Sequence, residues 1–150
     1  MPLDSASTAS GSSSEGSNGL TALEPRITHV AYYVSDIDRA LRFYVGALGL
    51  VEQMRIPLPG GEHEVVLGFP KGRGGGLILM WNPKRDAPRV LGDGYSRFVL
   101  SVSDVDSAVA HLAAQDTKVV SPPADAGPMR YAMVADPDGY TIELLQLKRG

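Results

Sequence analysis

The chain has 150 residues, 43% hydrophobic and 21% charged, with a formal net charge of −3 and no cysteine. That length holds one domain, or one domain and a tail, and the missing cysteine excludes disulfide scaffolds, thiolate metal sites, iron–sulfur clusters and a cysteine nucleophile. A slightly acidic balance leaves no basic footprint for nucleic acid, and no apolar run approaches the roughly 20 residues of a membrane helix. The start of the chain lacks the basic and apolar pattern of an export signal. A soluble, cytoplasmic protein with no nucleic-acid or membrane partner is expected.

Residues 1–19 contain seven Ser and three Gly, with Met1 and Leu3 as the only large apolar side chains. Such a segment cannot bury enough surface to offset its ordering entropy, so residues 1–25 read as a disordered tail. Asp4, Glu15 and Glu24 place the whole net charge there, leaving 14 acidic and 14 basic groups in the remaining 125 residues. Residues 26–150 are the expected folded domain, with module one at 26–83, a linker at 84–95 and module two at 96–148.

ITHVAYYV, residues 27–34, reads as a strand. Ser35 is the expected helix N-cap, with Asp38 three residues on, and Ile37, Leu41, Tyr44 and Leu48 recur at helical spacing before the stop at Gly49. VEQMRI, a PLPGG turn, EHEVVLGF, a glycine-rich loop and LILMW follow, giving β-α-β-β-β. RFVLSV, residues 97–102, restarts the order. Ser103 is expected to cap a helix with Val105, Val109 and Leu112 facing inward. TKVV, a PPADAGP loop, RYAMVAD, the turn at residues 136–139 and YTIELLQL complete the second copy. Placing YVSDID on SVSDVD matches Asp36 to Asp104, an offset of 68 residues. That period indicates two equivalent modules rather than a solenoid.

THVAYYVSDIDRALRFYVGALGL, GDGYSRFVLSVSDVDSAVAHL and VADPDGYTIELLQ resemble the vicinal oxygen chelate superfamily, above all its glyoxalase I and bleomycin-resistance members, alongside its dioxygenases. The resemblance implies an α+β fold of two tandem βαβββ modules around a ligand cavity, often completed between two subunits, hence a homodimer and a small-molecule ligand. It also implies a metal ligand on the first and last strand of each module. His29 and Glu143 match such positions. A His with carboxylates suits Ni, Zn, Mn, Fe or Co. The other two positions fall on Ile78 or Leu79 and on Arg97, and Arg has no lone pair to offer a metal. The cofactor is therefore either none or a divalent metal held by His29 and Glu143.

Arg97 and Glu143 sit on the first and last strands of one module. Two readings stand: a buried ion pair left by a lost metal site, or a guanidinium that takes over the ion's electrostatic role, with His29 as general base or acid. Tyr32, Trp81, Met129 and Tyr131 are candidates to line an apolar pocket, with core packing the alternative. Strand alternation sends His63 and its neighbours Glu62 and Glu64 to opposite faces. His111 is expected on the surface. No hydrolase or dinucleotide-binding motif occurs. The implied function is a glyoxalase-like lyase or isomerase acting on a carbonyl compound by proton transfer; the alternative is an antibiotic-sequestering protein of the same fold.

Overall fold

The computed structural model describes residues 23–149. The expected tail therefore lies, up to residue 22, outside the described residues. Module one runs β1 (His29–Tyr33), α1 (Ile37–Leu41), β2 (Val51–Pro57), β3 (His63–Gly68) and β4 (Gly76–Trp81). Module two repeats this as β5 (Phe98–Ser101), α2 (Val105–Ala113), β6 (Lys118–Ala126), β7 (Met129–Ala135) and β8 (Thr141–Leu147). Two four-stranded sheets result, ordered β1-β4-β3-β2 and β5-β8-β7-β6. In each, the first strand lies parallel to the last and the other pairings are antiparallel. The fold is α+β, the tandem βαβββ arrangement.

Alternation gives each sheet a packed and an open face. Val34, Val65, Leu67, Leu77 and Leu79 join Ala132, Val134, Ile142 and Leu144 in one buried cluster that includes residues of both helices. The opposite face keeps large apolar side chains in solvent: Met54 is 55% exposed, Val99 49% and Leu147 69%. Among the described residues, no helix is long and apolar enough to cross a membrane.

Three local expectations are corrected. The helix caps are Asp36 and Asp104, not Ser35 and Ser103: their carboxylates accept from Arg39 N and Ser107 N, each at 2.9 Å. An ionised acceptor at a helix N-terminus also gains from the helix dipole. Second, α1 widens at Arg42 into a π-helical turn reaching Ala47. Leu48 N donates to Phe43 O at 2.9 Å. The wider turn lets neighbouring Phe43 and Tyr44 both face inward, with their rings edge-on at 4.9 Å. Third, PPADAGP is not wholly a loop, because β6 continues through Pro122 and Pro123 to Ala126. As an edge strand with two register shifts, β6 tolerates residues that lack an N–H. His111 is exposed as expected, yet its ring nitrogen donates to the Ala47 carbonyl at 3.0 Å.

The modules are tied at the turn Asp136–Gly139. Tyr44 Oη donates to Asp136 Oδ2 at 2.7 Å, while Asp136 Oδ1 accepts from Asp138 N and Tyr140 N at 2.9 and 2.8 Å. Ser35 donates to Asp138 through both its backbone N and its hydroxyl. Tyr140 Oη donates to the Tyr33 carbonyl at 2.7 Å. Gly139, at φ +91°, supplies the left-handed residue that closes the turn.

Burial pushes the Asp136 carboxyl above the usual carboxylate range, only partly offset by these donors. A raised folded-state pKa adds stability below the unfolded value of 3.8 and loses it as pH rises through the folded one. The stability of wild type relative to Asp136→Asn, from urea unfolding at stepped pH, should therefore decline across that window. Tyr44→Phe leaves a buried acceptor short of a donor and should cost about 1–3 kcal/mol in the same measurement.

Candidate functional site

The site candidates divide between the two open faces. In module one, His29 pairs with Gly76, Ala31 with Ile78 and Tyr33 with Met80. A methyl group added at Gly76 would lie 2.7 Å from His29 Cδ2 and 2.9 Å from Nε2. The missing side chain makes room first for the Leu67 carbonyl oxygen of β3 and then for the imidazole against the sheet. Val66 and Glu64 continue the same face opposite Ile78 and Met80. Leu79 is fully buried on the other side, so Ile78, not Leu79, shares the face of His29.

In module two, Arg97 stands one residue before β5, and Glu143 pairs with Val99 on one side and Met133 on the other. Arg97 Nε donates to Glu143 Oε2, and its Nη1 donates to Ser96 Oγ at 3.1 Å. The carboxylate is only 13% exposed and the guanidinium 43%. This is a half-open ion pair: the acid sits in the sheet, and the cation lies over it towards solvent. Tyr131 and Met129 pair with Leu145 and Leu147 on the same face.

Tyr32 and Trp81 lie elsewhere. Tyr32 points into the core, with its ring 4.7 Å from Tyr140, 6.1 Å from Tyr44 and 6.3 Å from Phe98. Burial raises its phenol pKa well above the ordinary value. Trp81 has the parity of Leu79 and stacks on His63 at 5.4 Å, so it is on the face away from His29. His63 and Glu64 do occupy opposite faces. Two open surface clefts among the described residues do not include His29, Arg97 or Glu143. The larger, about 1000 Å³, runs between the π turn and module two and is lined by Arg42, Phe43, Ala47, Lys118, Val120 and Thr141 among others. The smaller, about 370 Å³, includes Trp81, Asp36 and Asp86. Gly76 had no signal in the sequence beyond its place at the end of a glycine run, since only the pairing of β1 with β4 reveals what it makes room for.

Residues 26–144 match the family model described as the Glyoxalase/Bleomycin resistance protein/Dioxygenase superfamily. The chain belongs to this superfamily. It is 32% identical over 126 residues to a probable lactoylglutathione lyase of Synechocystis, covering 80% of this chain and 94% of that one. Against a lactoylglutathione lyase of Arabidopsis thaliana it is 30% identical but spans 44% of that protein's length. Among solved structures, the trypanothione-dependent glyoxalase I of Leishmania major superposes with a TM-score of 0.70 at 30% identity, covering 81% of this chain and 86% of that one. An antibiotic-binding protein of Streptomyces sp. CB03234 superposes with a TM-score of 0.66 at 28% identity, covering 83% and 97%.

The donor set does not fit the four-ligand metal centre that the family resemblance implies. His29 and Glu143 are donors, but Ile78 offers none and Arg97 places a permanent cation on the Glu143 oxygen a metal would need. Among the described residues, no three His, Asp or Glu groups converge on a common point. Restoring the donors should restore binding: the double variant Arg97→His, Ile78→Glu is expected to bind Ni²⁺ or Zn²⁺ roughly 100-fold more tightly than wild type, read by titration calorimetry.

Proposed function

We propose that the protein is a glyoxalase-like lyase or isomerase that moves a proton beside a carbonyl group of a small-molecule substrate. The carrying observation is the half-open Arg97–Glu143 pair on one open face, at the module-two counterpart of the position His29 holds on the other. A guanidinium anchored by a largely buried carboxylate is a fixed positive charge aimed at solvent, suited to a developing enolate oxygen. His29 supplies the group that takes and returns the proton. Glu143 holds Arg97 in place. The relatives' name, lactoylglutathione lyase, agrees with a lyase that acts on a small molecule.

His29 and Arg97 belong to the edge strands of different sheets, and the faces around them keep apolar side chains exposed. Both features support a cavity that closes between two copies of the chain. Sequestration without chemistry is the second reading, favoured by the match to nearly the whole antibiotic-binding Streptomyces protein.

Two measurements test this. Purified protein incubated in deuterium oxide with the hemithioacetal of glutathione and methylglyoxal, or with simpler oxo compounds, should exchange the hydrogen beside the carbonyl. His29→Ala and Arg97→Met should each lower that rate about 100-fold or more. Exchange unaffected by both substitutions refutes the roles of His29 and Arg97. Mixing His29→Ala with Glu143→Ala protein should restore activity, because one site of each mixed dimer then carries both intact halves; no restoration overturns the shared cavity.

A further inference from the structure

β2 carries a bulge that changes what the open face of module one presents. Glu52 pairs with Leu67 and Met54 with Val66, leaving Gln53 as the extra residue between them. A bulge re-aims a side chain, and the Gln53 carboxamide is folded inward over β3. A methyl group added at Gly68 would collide with its Nε2 and lie 2.8 Å from Cδ. Gly68 stands one step past the last registered pair of β3 with β4, Leu67–Leu77, opposite Gly76. His29 leans over Gly76 from β1, on the far side of β4. Two adjacent glycines thus form a bare backbone floor, with a carboxamide reaching over it from one side and the Nε2 edge of an imidazole from the other.

We infer that Gln53 is the partner of His29 in module one: its carboxamide N–H binds the carbonyl oxygen of the substrate while His29 Nε2 takes the proton from the neighbouring carbon. The floor beside the two glycines continues as Val66 and Ile78, with Met54 alongside. A short oxo compound fits this layout, its oxygen over the glycines and its apolar end over Val66 and Ile78. In the step, the C–H electron pair becomes a C=C bond as the C=O opens. The proton passes to His29 Nε2, and the oxygen gains negative charge held by the amide and by Arg97. Return of a solvent deuteron reverses the step, so no co-reactant is consumed. The inference rests on the proposed proton transfer, but the side-chain pairing can be read without any activity.

Nuclear magnetic resonance on the full chain with pyruvate as the probe tests both parts. A through-space contact between the Gln53 amide protons and His29 Hδ2 is expected in wild type. It should vanish in Gly68→Ala, which the fold accommodates because only the flexible end of Gln53 must move. Deuteration of the pyruvate methyl should slow tenfold or more in Gln53→Leu, in the rate rather than in the half-saturating concentration. Glu64→Gln, farther along the same face, should leave it unchanged. Absence of the contact in wild type overturns the inference whatever the activity. Exchange that needs His29 but ignores Gln53→Leu overturns the inference alone. A contact present with no exchange by wild type overturns the proton-transfer reading and the role of Gln53 with it.

Discussion

The hydrogen bond from Tyr44 to the buried Asp136 carboxylate is the constraint that places the two modules. Asp136 begins the turn that enters β8, and Tyr44 lies on the π segment of the other module. The pair crosses 92 residues of chain at 2.7 Å. A buried carboxylate without donors would be untenable. With three donors converging on it, Asp136 becomes a fixed post on which the module-one helix, the start of β8 and therefore Glu143 are all hung. The geometry of the candidate site is in this sense set from behind, in the core, and not by contacts within the site.

The open faces show what duplication does to chemistry. Both modules keep the same strand order and the same pleat, so His29 and Arg97 occupy equivalent places, one residue type able to move a proton and the other permanently charged. Once Arg97 sits on Glu143, the equivalence is broken: one half carries an imidazole, the other a permanent charge. Both modules bulge at the matching place on their outer strand, at Gln53 in β2 and Val120 in β6, so the difference there lies in the side chain, a carboxamide in one and an apolar group in the other.

Much of the fold was legible from the residues. The 68-residue offset, the alternating strands and Gly49 with its left-handed φ of +80° all follow from local chemistry and appear in the structure. The fine details did not, for identifiable reasons. Asp36 and Ser35 are both good caps, and the choice between them depends on Asp138, 103 residues away, which engages the serine. PPADAGP looks like a loop because proline is penalised in strands, and only its place at a sheet edge removes the penalty. Of the site candidates, His29, Arg97, Glu143, Met129 and Tyr131 lie on open faces. Tyr32 and Trp81 do not, because aromatic residues in strands report burial on either face and parity alone cannot say which face is inside. Gln53 was invisible, since a bulge is a property of a pairing and not of a sequence.

The proline placement has a further consequence. Each sheet has two edges, and two of these, β2 and β6, carry Pro57 and the pair Pro122–Pro123. A strand that lacks N–H groups is a poor template for another strand. The β2 and β6 edges are therefore poorer templates at those positions, whereas β1 and β5 carry no proline. Proline at one edge of each sheet thus biases association away from strand pairing there and towards contact between faces.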